Sequence, residues 1–199
     1  MSKYNNEYYR ETLGEVITSF KDGEIAGLDM SLGGFGVVVI CAKTGELKDK
    51  LLIQSKLRGV ERLVEIRRAV KHILKQYDIK LAITEGYAFG THSGRSFDIG
   101  ELGGVIKQSL YMNHIQYYII TPLMLKKWIT GSSRGDKAMM LMKILKNYKI
   151  ELNNNNIGDA YGLARIGYTM NRIINNEIKT LSLFNYQVEC IKTIITKKK

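Results

Sequence analysis

Three short apolar runs, Ile25–Asp29, Gly36–Ala42 and Leu47–Ser55, follow one another with only a few residues between them. Links that short force neighbouring strands to run antiparallel, so the three predict a meander. An amphipathic stretch then intervenes: Val60, Leu63, Val64, Ile66, Val70, Ile73, Leu74 and Tyr77 fall on one helix face. A helix of that length lets a fourth strand, Lys80–Thr84, return parallel to the first by a right-handed crossover. The order continues with a helix over 97–112, a strand at Gln116–Ile120, and helices over 122–129, 136–149 and 157–174. This order constrains the chain to an α/β fold with a mixed five-stranded sheet, antiparallel meander plus parallel strands, flanked by helices.

With 199 residues the chain has room for one well-buried domain plus extensions. Residues 1–22 read as an N-terminal extension with a short docked helix, because Leu13, Val16, Ile17 and Phe20 sit at helical spacing. Residues 23–177 form the domain, and residues 178–199 read as a C-terminal extension with a basic tip. No run reaches the roughly 20 apolar residues of a membrane span, and the polar start lacks a signal-peptide pattern. The expectation is a cytoplasmic protein with no membrane partner. Cys41 and Cys190 lie far apart and support neither a disulfide framework nor a zinc site. The net charge of +11 favours a polyanionic partner, nucleic acid above all, over a merely solubilising surface excess.

Against this basic background, acidic residues stand where apolar elements run out. Asp29 ends the first strand and Glu85 follows the fourth. If those strands pair in parallel, the two carboxylates leave the same sheet edge side by side, where open α/β sheets place ligands. Asp159 joins them if the helix that it opens packs on the sheet, with Asn156 three residues earlier. Clustered carboxylates repel unless divalent cations neutralise them, and hard oxygen donors suit Mg²⁺ or Mn²⁺. Two of the acids also have plainer readings, Asp29 as a turn former and Asp159 as a helix cap, whereas Glu85 is sharper because glutamate is poor in turns and here interrupts an apolar run.

The ordered set of motifs resembles the RuvC-like Holliday junction resolvases of the RNase H-like superfamily. It comprises Gly27-Leu28-Asp29-Met30-Ser31, Ala82-Ile83-Thr84-Glu85-Gly86-Tyr87, Gly100-Glu101-Leu102-Gly103-Gly104, Thr121-Pro122 through Lys126-Lys127, Asp136-Lys137 and Gly158-Asp159-Ala160. The resemblance implies an RNase H-like fold and a homodimer that makes paired nicks in a four-way DNA junction, in recombination and repair. It implies that Asp29, Glu85 and Asp159 hold two Mg²⁺ ions, with Mn²⁺ able to substitute and Asn156 as a further ligand. By the same resemblance Lys137 is an active-site lysine, and Lys126, Lys127 and Arg134 contact DNA. Tyr87 and Phe89 are the DNA-binding aromatics that the resemblance implies, and they flank Ala88, the position best aligned with the family's junction-stacking aromatic. Asn156 departs from the pattern, which has an acid or histidine there, and Glu101 is the candidate to restore the missing charge. Other readings are a broader flap or fork nuclease, a non-catalytic junction-binding module, and an actin-like fold, for which the chain is too short. The lysine-, isoleucine- and asparagine-rich composition fits an AT-rich, viral source acting in the host cytoplasm.

Overall fold

The computed structural model describes residues 5–86, 94–134 and 136–196, with the backbone alone at Gly94, Arg95 and Lys137. Five strands, β1 (Glu24–Asp29), β2 (Phe35–Cys41), β3 (Leu47–Ile53), β4 (Ile79–Glu85) and β5 (Gln116–Ile120), form one sheet. Their order is β3-β2-β1-β4-β5. The meander is antiparallel, while β4 pairs in parallel with both β1 and β5. This is the mixed five-stranded sheet that the sequence predicts. β1 and β4 are buried on both faces, which explains their near-continuous apolar sequence. At one edge, β3 exposes Lys48 and Lys50, charges that discourage pairing with another chain.

The helices are α1 (Asn6–Gly14), α2 (Gly59–Gln76), α3 (Gly94–Met112), α4 (Pro122–Thr130), α5 (Lys137–Tyr148), α6 (Asn155–Ile174) and α7 (Asn185–Thr196). Alternate strand residues feed two cores. Ala26, Leu28, Val37 and Val39 point to the layer containing α2 and α3, whereas Ile25, Val38 and Ile83 point to the layer containing α6.

α6 lies against the sheet at backbone distance because glycines stand where it crosses. A Cβ on Gly27 would sit 1.9 Å from the Ala160 carbonyl oxygen, and one on Gly36 would sit 2.3 Å from that of Asn156. Further along, Gly167 of α6 lies over Ile25 and Ile83. The helix therefore runs antiparallel to β1 and brings its N-terminal turns to the end where β1 and β4 stop.

Both terminal segments are tied into the core. Tyr9, Leu13 and Ile17 are buried with the α6-side cluster. The Asn171 side chain brackets Phe20, accepting from its N–H and donating to its carbonyl. Beyond residue 178, where sequence periodicity suggests only a basic extension, the chain forms a 3₁₀ turn at Thr180–Ser182 and then α7. α7 buries Cys190, Ile191, Ile194 and Ile195. Burial pushes the Cys190 thiol up to about 11, so it stays protonated and packs as a small hydrophobe. Because Ile191 is fully buried, Ile191→Ala should cost about 2–5 kcal/mol, read as a lowered urea midpoint. A detached tail would tolerate the change.

Candidate active site

The pairing of β1 with β4 decides the geometry of the acids. Leu28 is in register with Thr84, so the next residues, Asp29 and Glu85, end the two strands side by side. The period of two puts Asp29 on the same face as Gly27, and Glu85 on the same face as Ile83. That face carries α6. Asp29 is only 3% exposed, whereas Glu85 is half-buried.

α6 brings the third acid, although not from its first turn as the sequence suggested. Asn154 is the N-cap, its side chain accepting from the N–H groups of Asn156 and Ile157. Asp159 therefore lies one turn into the helix and is not a cap. Asn156 lies three residues before it, and its Nδ2 donates to the Gly34 carbonyl at 2.7 Å. Asn156 thereby fastens the start of α6 to the β1–β2 turn, a role that its place in the sequence motif did not disclose.

Asp29, Glu85, Asn156, Asp159 and Lys126 line a single cleft of about 330 Å³. Met30, Ser31, Gly86, Ile99 and Pro122 complete its wall. Ile99, from α3, carried no sequence signal beyond its place on an apolar helix. Lys126 reaches the cleft because Thr121 caps α4, accepting from the Met124 N–H, and Pro122 fixes the first turn directly after β5.

The remaining candidates separate. Lys127, one residue on and about 100° around the helix, forms an ion pair with Glu189 of α7 and does not line the cleft. That carboxylate raises the Lys127 pKa. Arg134 is exposed in the α4–α5 loop and is likewise absent from the cleft wall. Glu101 cannot supply the missing charge, because it is exposed and lines a different hollow beside Arg62 and Asp98. Lys137 begins α5 directly after Asp136, whose side chain caps the helix by accepting from the Met139 N–H. The Lys137 side chain lies outside the described residues, as do Tyr87 and Phe89.

The donor set of the cleft is three carboxylates and an amide, all hard oxygen donors of the kind Mg²⁺ and Mn²⁺ take. Among the described residues no three His, Cys, Asp or Glu side chains are grouped as a ready-made site for one ion. The set thus fits such cations by chemistry, with room in the cleft for oxygens from elsewhere to complete a coordination shell.

Among the described residues no helix is long and apolar enough to cross a membrane. A crossover junction endodeoxyribonuclease RuvC from Caldicellulosiruptor saccharolyticus is 29% identical over 128 residues, covering 62% of this chain and 76% of that protein. The fold is similar to Thermus thermophilus RuvC solved with a Holliday junction substrate: TM-score 0.64, 15% identity, 78% of this chain and 95% of that one covered. It is also similar to the yeast mitochondrial Holliday junction resolvase Ydc2, with TM-score 0.59, 11% identity, and coverage of 94% of this chain and 90% of that one. The family model of crossover junction endodeoxyribonuclease RuvC matches residues 25–168, a span that contains β2 to β5, all of β1 but its first residue, and every residue that lines the cleft, and the chain belongs to that family.

Proposed function

We propose that this protein is a divalent-metal-dependent endonuclease that resolves four-way DNA junctions by paired phosphodiester hydrolysis. The observation that carries the reading is the meeting of Asp29, Glu85 and Asp159 in one cleft of a chain with net charge +11. Family membership supplies the substrate class, since the relatives are named for crossover junctions.

Asp29, Glu85 and Asp159 would hold the cations, with the Asn156 amide oxygen as an uncharged contributor. When bound, two Mg²⁺ or Mn²⁺ ions activate the attacking water and stabilise charge on the phosphate. The protein's own part is positional. Asp29 and Glu85 are fixed by strand pairing, so their oxygens need little reorganisation as DNA enters. Lys126, which lines the same cleft, would present a positive charge to the phosphate. Lys137 adds a second charge at the start of α5. Among the described residues the chain carries one such cleft, so two symmetric nicks call for a homodimer. The domain reading keeps residues 23–177 as the nuclease unit, with the terminal segments as buttresses.

The test is a labelled four-way junction with purified protein, in Mg²⁺ and in EDTA, beside a flap and a linear duplex. Two symmetric nicks in Mg²⁺ and none in EDTA are expected, with a dimeric mass in sedimentation. Junction binding without any cleavage would overturn the enzymatic reading in favour of a binding module. Equal cutting of all three substrates would overturn the junction selectivity.

Asn156→Asp tests the uncharged member of the set. The new carboxylate would lower the Mg²⁺ concentration needed for half-maximal cleavage. It would also face the Gly34 carbonyl without a proton to donate, costing about 1–3 kcal/mol of stability. Metal titrations and urea unfolding should therefore move in opposite directions.

A further inference from the structure

The catalytic cleft does not end at its acids. Ser31 and Ile99 line it and also line a second cleft of about 460 Å³, walled by Leu32, Gly33, Arg62 and Asp98. The two share a wall, so an extended chain leaving the carboxylates past Ser31 enters the space in front of Arg62. Gly33 leaves that side open, because nothing lies within 4 Å of where its Cβ would be.

Arg62 is anchored although it lies at the surface. Its Nε donates to the Leu57 carbonyl at 2.8 Å, which fixes the plane of the guanidinium. Two acids, Asp98 and Glu101, line a hollow with it, yet among the described residues Arg62 forms no ion pair. Other cations are engaged: Lys127 with Glu189, Arg172 with Glu177, and Arg165 with the Gly45 carbonyl and two tyrosine rings. An anchored guanidinium whose Nη groups are left over is suited to a planar, bidentate anion, and phosphate is the one a DNA strand supplies.

We propose that this second cleft is a backbone subsite for the DNA strand being cut, with Arg62 binding a phosphate outside the scissile position. The proposal rests on the junction-nuclease reading above. Asp98, which lines the same cleft, repels that phosphate and limits how tightly the strand is held, so that the nicked product can leave.

Junction binding by purified full-length protein, measured in EDTA over a series of salt concentrations, tests this without cleavage. Arg62→Gln should weaken binding about 3- to 10-fold and reduce the slope of log affinity against log salt by about one. Arg62→Lys should keep the slope, and Asp98→Asn should tighten binding. Arg68→Gln, exposed on the same helix but lining a separate groove with Leu57 and Val60, should leave the slope unchanged. An unchanged slope in Arg62→Gln, or an equal loss in Arg68→Gln, would overturn the subsite. A wild-type protein that binds no junction would instead overturn the reading on which it rests.

Discussion

Asp29→Asn and Glu85→Gln should each lower the rate of junction cleavage by about 10³-fold or more while leaving junction binding within about threefold of wild type. The size follows from the several kcal/mol of transition-state charge stabilisation that metal-assisted chemistry supplies, at about 1.4 kcal/mol per tenfold in rate. Both substitutions are nearly isosteric and leave the backbone unchanged, so the pairing of Asp29 with Gly36 and of Glu85 with Ile120 is undisturbed. Losing a negative charge from a cleft that receives phosphate should, if anything, tighten binding. Single-turnover cleavage at saturating protein, beside binding measured in EDTA, separates the two effects. Full activity in either variant would remove that carboxylate from the mechanism.

The position of these two acids was legible in the sequence because it depends only on strand order and the period of two. Short links make the meander, one long helix makes the crossover, and the residues after Leu28 and Thr84 must then emerge together. Asp159 was less legible. Its arrival depends on where α6 begins, and the asparagine run offers four candidate caps, of which Asn154 is used. The true boundary moves Asp159 from the first turn to the second without removing it from the cleft.

Lys126 and Lys127 show a different limit. Adjacent helical residues diverge by about 100°, so only one of them can face the cleft, and the choice depends on what packs behind α4. That partner is α7, which offers Glu189 to Lys127 and seats Cys190 under the Met124 carbonyl. α7 itself carries a readable signal in Val188, Ile191 and Ile195 at helical spacing. The signal is short and is followed by three lysines, a composition that suggests a solvated tail. Tertiary burial against α1 and α4 overrides that local impression.

The close seating of α6 makes Gly27→Ala the most disruptive glycine-to-alanine substitution among the described residues. The new Cβ would lie 1.9 Å from the Ala160 carbonyl oxygen and 2.6 Å from the Ala164 nitrogen, both backbone atoms that no rotamer change can move aside. Overpacking against adaptable side chains typically costs 1–3 kcal/mol. Here the whole helix must shift, so a loss of at least about 3 kcal/mol is expected in urea unfolding. Gly104→Ala is the control, since an added Cβ on that exposed helical glycine meets nothing within 4 Å and should raise stability by up to about 1 kcal/mol. The effect on chemistry should exceed the effect on folding. α6 carries Asn156 and Asp159, and sliding it off β1 separates Asp159 from Asp29 even in molecules that remain folded. At a temperature where Gly27→Ala is fully folded by circular dichroism, cleavage should still fall at least about 10²-fold, the scale expected for a misplacement of about 1 Å. Wild-type cleavage under those conditions would mean that Asp159 does not need this packing to reach its partners.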